Sequence, residues 1–135
     1  MRAMEAETAE AVAAAARAAG AHPDLRLLLL VGSRGRGDET PRSDWDFAYL
    51  ARPALDGMAL LADLAAACGS DQIDLADLAR ASGLFRHRAA RDGIRIHEAE
   101  PGTFDRFWFE AVSFWCDAEP ILAAGYESVL ADLGP

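Results

Sequence analysis

The chain has 135 residues, 52% of them hydrophobic, which suffices for one compact core and leaves no second domain to account for. Its formal net charge of -9, from 22 acids against 13 basic residues that are all arginine, disfavours an extended nucleic-acid surface, because that grip needs clustered cations. The apolar run Leu27–Val31 is far too short to cross a bilayer, and Met1-Arg2-Ala3 opens into an acidic, Ala-rich stretch instead of a signal peptide, so a cytoplasmic protein with no membrane partner is expected.

Residues 3 to 19 are rich in Ala and Glu and stop at Gly20, which predicts a first helix. After a turn at His22-Pro23-Asp24, the continuous apolar run Leu25 to Val31 predicts a buried strand. A second strand is expected from Ser43 to Ala51, then an amphipathic helix from Asp56 to Ala67 ended by Cys68-Gly69, then a third strand from Gln72 to Ala76. Asp77 can cap a short helix through Ser82. Gly83 breaks it, Leu84 to Arg91 resumes as helix, and Asp92-Gly93 leads to a strand from Ile94 to Glu98. Pro101 opens a long C-terminal helix, and Pro120 should kink or split it. Cys68 and Cys116 lack metal-type spacing and read as reduced core thiols.

Strand geometry gives the first chemical signal. Successive side chains of a strand point to opposite faces, so Asp44, Asp46, Ala48 and Leu50 share one face while Trp45, Phe47 and Tyr49 share the other. The aromatics can cover the core, which leaves two carboxylates side by side on an open face. Like charges at that separation repel and should raise one pKa, unless a cation lies between them. Oxygen ligands without His or Cys select a hard ion such as Mg²⁺. In "QIDLADL" the phase repeats, with Ile73 and Leu75 on one face and Asp74 on the other, so a third carboxylate can face the same surface from a neighbouring strand. Taken alone, any Asp-x-Asp is more often a turn residue and a solvated edge acid than a metal site.

The stretch before it carries more weight. A strand running into Gly32-Ser33, with glycines again at 35 and 37, forms a tight turn whose backbone N–H groups and serine hydroxyl can approach phosphate oxygens. It is neither a P-loop nor a dinucleotide fingerprint: no Gly-Lys-Ser/Thr follows, and the third glycine is missing. The string "GSRGRGDETPRSDWD" does resemble the active-site signature of the DNA polymerase beta-like nucleotidyltransferases, which is Gly-Ser, two residues, Arg-Gly, five residues, Ser-Asp, one residue, Asp. Every fixed position is met; Gly35 departs from the alanine usual in small members.

The resemblance implies an α/β (α+β) nucleotidyltransferase fold: a small mixed sheet with helices on one face and the active site on the other, plus an aromatic-rich C-terminal helix. It implies that Gly32 and Ser33 hold the terminal phosphates of ATP, that Asp44 and Asp46 bind two Mg²⁺, and that Asp74 shares one metal and helps deprotonate the acceptor hydroxyl. Arg36 either contacts a phosphate, orients those acids, or is a solvated loop residue. Arg34 is a weaker candidate, and Ser43 is expected to shape the turn into the strand.

Size bears on the acceptor, because polymerases, tRNA-tailing enzymes and antibiotic-modifying nucleotidyltransferases carry extra substrate domains. The whole of 1–135 reads as one nucleotidyltransferase domain with 101–133 as a helical tail. The stretch "RDGIRIHEAEPGTFDRFWFEAVSFWCDAEPILAAGYESVL" is similar in layout to the tails of minimal nucleotidyltransferases encoded with an HEPN ribonuclease toxin, including an Asp before the middle of the helix, here Asp117. That class implies an antitoxin that transfers AMP from ATP to a tyrosine of the toxin. Apart from any family, Phe104, Phe107, Trp108, Ala111, Val112 and Trp115 follow helical spacing as one apolar stripe, widened by Phe109, Phe114 and Cys116. Most of that stripe should pack on the domain's own sheet, with the surplus left for a partner. His87 and His97 lie among Arg86, Arg88, Arg91 and Arg95, which form either a solvated polar face or a local basic patch for ATP or the partner.

Three readings of function remain open at this level. The first is a Mg-dependent protein adenylyltransferase antitoxin; the second is a non-catalytic binding module that neutralises its partner by stoichiometric contact; the third is a nucleotidyltransferase acting on a small molecule or RNA end.

Overall fold

A computed structural model describes residues 6–117. Its element order is α1 (Ala6–Gly20), β1 (Leu25–Val31), α2 (Gly32–Arg36), β2 (Trp45–Ala51), α3 (Gly57–Cys68), β3 (Ile73–Asp77), α4 (Gly83–Asp92) and β4 (Ile94–Glu98), followed by a helix from residue 103, here α5, that is described to residue 117. The strands form one mixed sheet in the order β3-β2-β1-β4. Both β2 and β4 run antiparallel to β1, whereas β3 runs parallel to β2.

The central strand shows why Leu25–Val31 is apolar at every position but Arg26. Leu25, Leu28 and Leu30 enter a core under α1 and α3, with Trp45, Phe47, Leu60 and Leu64. Leu27, Leu29 and Val31 enter a second core on the opposite face, with Ala48, Leu78, Ala89, Ala90, Phe107 and Ala111. A strand covered on both faces needs apolar residues at every position. The irregularity in pairing between Leu25 and Leu27 shifts the phase, which is why Leu25 and Leu28 share a face.

Local chemistry sets the helix limits. Ala11, Ala15 and Ala19 present a narrow buried face of α1 at i, i+4 spacing, which suits close approach to α3. Asp56 caps α3 by accepting from the Ala59 N–H, and Gly69 closes that helix in the left-handed conformation. Ser82 caps α4 by accepting from the Phe85 N–H at 3.1 Å. No helix among the described residues is long and apolar enough to cross a membrane.

Two expectations change in form. The short helix proposed between Asp77 and Ser82 is a turn: Asp77 does accept from the Ala79 N–H at 2.9 Å, but Leu78 is drawn fully into the core and the chain reverses there. Gly83 is the first residue of α4 rather than a break before it. The second is the face opposite α1 and α3, which is not wholly open. Helices α4 and α5 cover it along β1 through Ala89, Ala90, Phe107 and Ala111, so the uncovered part lies toward β2 and β3.

The aromatic stripe packs on the sheet only in part, and Trp108, expected within it, is exposed. Phe107 and Ala111 are buried, and Phe104 and Val112 pack against the same core. Trp115 stacks on His87, whereas Trp108, Phe109 and Phe114 are exposed, the last with its ring edge over Gly83. Pro120 and the remainder of the expected tail lie outside the described residues. Both cysteines are free, and burial pushes the Cys68 thiol up to about 11, so it stays protonated at neutral pH.

Candidate active site

The site is assembled where β1 ends. Val31 delivers the chain to Gly32, whose φ of +69° lies in the left-handed region. A Cβ at Gly32 would stand 2.3 Å from Asp46 Oδ2, so two constraints require glycine: the backbone twist and the carboxylate pressed against it. The following turn α2 is closed by Gly37, also left-handed at φ 88°, with the N–H groups of Gly37 and Asp38 both donating to the Ser33 carbonyl at 2.9 and 2.8 Å.

Gly35 has a different reason for lacking a side chain. A Cβ there would meet the Leu30 carbonyl oxygen at 2.6 Å, so the departure from alanine matches an unusually close packing of α2 on β1. Gly35→Ala is therefore expected to cost about 1–3 kcal/mol by overpacking despite alanine's better helix propensity. Chemical denaturation reads this directly, and an unchanged midpoint and slope would contradict the close approach.

Asp46 and Asp74 occupy matching positions on the parallel pair β2 and β3. This parallel register places the two carboxylates side by side, close enough for each charge to act on the other. Burial, then the neighbouring Asp74 charge, then Asp44, push the Asp46 carboxyl above its ordinary range, while Arg36 opposes the shift. Asp44 precedes β2 and is exposed; it acts on Asp46 through its charge. The phase read from the sequence holds, since Trp45, Phe47, Ile73 and Leu75 all pack in the core on the other side.

These residues open into a cavity of about 590 Å³ lined by Gly32, Arg36, Asp46 and Asp74 from the strand ends, and by Phe85, Arg88, Arg91 and Asp92 from α4, among others. Ser33 and Asp44 are not among its lining residues. Among the described residues, no three His, Cys, Asp or Glu side chains are gathered into a closed metal cage. The donor chemistry nevertheless fits a hard divalent cation: oxygen ligands only, and a partly buried carboxylate with a second one at the matching position of the neighbouring strand.

Arg34 has a larger part than its sequence context suggests. It is buried, donates through Nε and Nη2 to the Ser43 carbonyl at 3.3 and 3.0 Å, and lays its guanidinium over the Trp45 ring 4.0 Å from the centroid. It thus clamps α2 to the residue before Asp44. Ser43 shapes the turn as expected, its Oγ accepting from the Thr40 N–H at 2.9 Å. The basic segment across α4 and β4 also resolves: Arg86 bonds the Leu78 carbonyl and lies over Phe107, and Arg95 of β4 pairs with Glu98, whereas Arg88 and Arg91 face the cavity.

The structure thus sets a glycine turn against paired aspartates at one end of a mixed sheet, in a cavity that arginines also line. The chain belongs to the polymerase beta nucleotidyltransferase family, whose model matches residues 16–101. It is 34% identical over 97 residues to the protein adenylyltransferase MntA of Aphanizomenon flos-aquae, a match covering 63% of this chain and 65% of that protein. The chain therefore spans somewhat less than two thirds of that relative's length.

Solved structures agree with the fold. A toxin–antitoxin crystal structure with AMP-PNP superposes with a TM-score of 0.64 at 29% identity, covering 79% of this chain and 87% of the other. A complex of the tri-AMPylated Shewanella oneidensis HEPN toxin with MNT antitoxin gives a TM-score of 0.59 at 27% identity, covering 79% and 84%.

Proposed function

We propose that this protein is a Mg-dependent adenylyltransferase antitoxin, which moves AMP from ATP to a hydroxyl, most simply a tyrosine, of a cognate HEPN-type toxin in the cytoplasm. The observation that carries the reading is the close approach of Gly32 to Asp46, with Asp74 at the matching position of the next strand, inside one nucleotide-sized cavity. The similarity to named adenylyltransferases and to antitoxins complexed with HEPN toxins supports the choice of acceptor.

In this reading Gly32 and Ser33 turn backbone donors toward the triphosphate. Asp46, Asp74 and Asp44 hold two Mg²⁺, which when bound neutralise charge on the attacking and leaving oxygens. The acceptor oxygen bonds to the α-phosphorus as the bond to the β-phosphate oxygen breaks, and pyrophosphate departs. The hydroxyl proton passes to Asp74, which is the more exposed of the paired carboxylates. Arg36 stays near Asp46 and lowers the cost of its charge.

The test is transfer of label from α-labelled ATP to the co-expressed partner. Asp44→Asn combined with Asp46→Asn should abolish Mg²⁺-dependent labelling and leave the fold intact; unchanged labelling rules the assignment out. A binding-only antitoxin makes the opposite forecast for neutralisation, because the double variant would still silence its partner at one-to-one stoichiometry.

A further inference from the structure

Helix α4 brings three charged side chains to the cavity, and they are not equivalent. Arg91 is held by its neighbour Asp92 in a two-pronged ion pair, Nε to Oδ1 at 3.0 Å and Nη2 to Oδ2 at 2.8 Å. Arg36, from α2, is engaged by Asp38 at 3.2 Å. Arg88 lines the same cavity, yet no hydrogen bond, ion pair or ring contact engages it among the described residues. Its neighbour Ala89 is buried against the sheet and Arg86 is tied to the Leu78 carbonyl, so α4 is fixed in rotation with Arg88 directed into the cavity.

The cavity is thus polarised, with carboxylates Asp46 and Asp74 on the strands and, on the helix, a guanidinium that has no partner among the described residues. Its natural ligand carries charge of both kinds, as a metal-bound diphosphate does. We propose that Arg88 is a phosphate-binding residue of this site, gripping the β- and γ-phosphates of the nucleotide and the pyrophosphate they become. A planar guanidinium suits that task, since it can donate two parallel hydrogen bonds to phosphate oxygens. No other group has to be displaced first, whereas recruiting Arg91 would break its pair with Asp92. The inference rests on the reading of the cavity as a nucleotide site, and it adds the helix wall to the Gly32 turn as the second half of the phosphate grip.

The experiment is titration of the full chain with inorganic pyrophosphate and Mg²⁺, comparing wild type with Arg88→Ala and Arg88→Lys, beside AMP-transfer kinetics. Pyrophosphate affinity should fall about 10- to 100-fold in Arg88→Ala and recover in part with lysine, which keeps the charge and loses the fork. KM for ATP should rise in the same proportion, with a smaller change in kcat. The melting temperature should stay that of wild type, because no hydrogen bond, ion pair or ring contact engages Arg88 among the described residues. Wild-type pyrophosphate affinity in a folded Arg88→Ala, or no pyrophosphate binding by wild type, overturns the proposal. Failure of the functional reading looks different: pyrophosphate would bind through Arg88 while wild type transferred no AMP to its partner.

Discussion

Asp46→Asn should lower AMP transfer by about 10³-fold or more, because a lost metal carboxylate removes several kcal/mol of charge stabilisation from the displacement. The same substitution should leave the metal-free protein as stable as wild type or more so, which separates loss of chemistry from loss of fold. The reason is electrostatic. Asp46 is half-buried beside Asp74, with Asp44 adding repulsion, so its carboxyl is raised above the ordinary value of 3.8. A carboxyl whose folded pKa exceeds its unfolded one favours the fold at low pH; that contribution is lost as pH rises from near 3.8 through the raised value. At neutral pH the ionised group therefore opposes folding until a cation is bound. Adding Mg²⁺ should raise the melting temperature of wild type and leave that of Asp46→Asn nearly unchanged. Equal Mg²⁺ stabilisation of both proteins would show that the ion binds elsewhere.

Gly32→Ala should be the most damaging single methyl in the molecule. It forces an L-residue to φ +69°, at roughly 1–2 kcal/mol, and sets a Cβ where Asp46 Oδ2 now lies. The carboxylate has to swing away, and it is the carboxylate proposed to hold the metal. A displacement near 1 Å in a reacting constellation costs on the order of 10²-fold, so a loss of that size or larger is expected in transfer, with a folded protein by circular dichroism. Full activity in Gly32→Ala would mean that the turn does not hold the nucleotide against Asp46. The control at Gly35 differs in kind, since its methyl collides with the Leu30 carbonyl and reports on packing.

Much of this site is readable in the sequence because strands have a period of two. The alternation of Asp44 to Leu50 and of Ile73 to Ala76 places Asp46 and Asp74 on one face, and the register confirms that they are neighbours. The glycine at 32 is readable for the same reason, as the point where a buried strand has to turn sharply. Other features depend on tertiary placement. Nothing local in "GLFRHRAARD" separates Arg86, which braces the fold, from Arg88, which lines the cavity; that distinction follows from how Ala89 and Ala90 seat the helix on the sheet. The turn at Leu78 is similarly hidden, because a helix cap at Asp77 and a turn stapled by Asp77 read alike until Leu78 is buried.

One signal was available and is easily underweighted. Seven consecutive strand residues, only Arg26 polar, demand cover on both faces, so a sheet with helices on one side alone could not have satisfied Leu27, Leu29 and Val31. Helix α5 meets that demand with Phe107 and Ala111, which also confines the open surface to β2 and β3, where the aspartates stand. Arg34 belongs to the same lesson. An arginine two residues past Gly32 projects toward the aromatic face, where Trp45 offers the ring that can hold its charge.

The Gly32 turn and the Asp46–Asp74 pair are proposed to hold ATP for transfer of AMP to a protein hydroxyl. Intact-mass spectrometry of the proposed HEPN-type partner, after incubation with ATP, Mg²⁺ and this protein, is the decisive test. Mass gains in whole AMP units, absent with Asp46→Asn and absent without Mg²⁺, are the predicted result; an unmodified partner that is nonetheless silenced would contradict it.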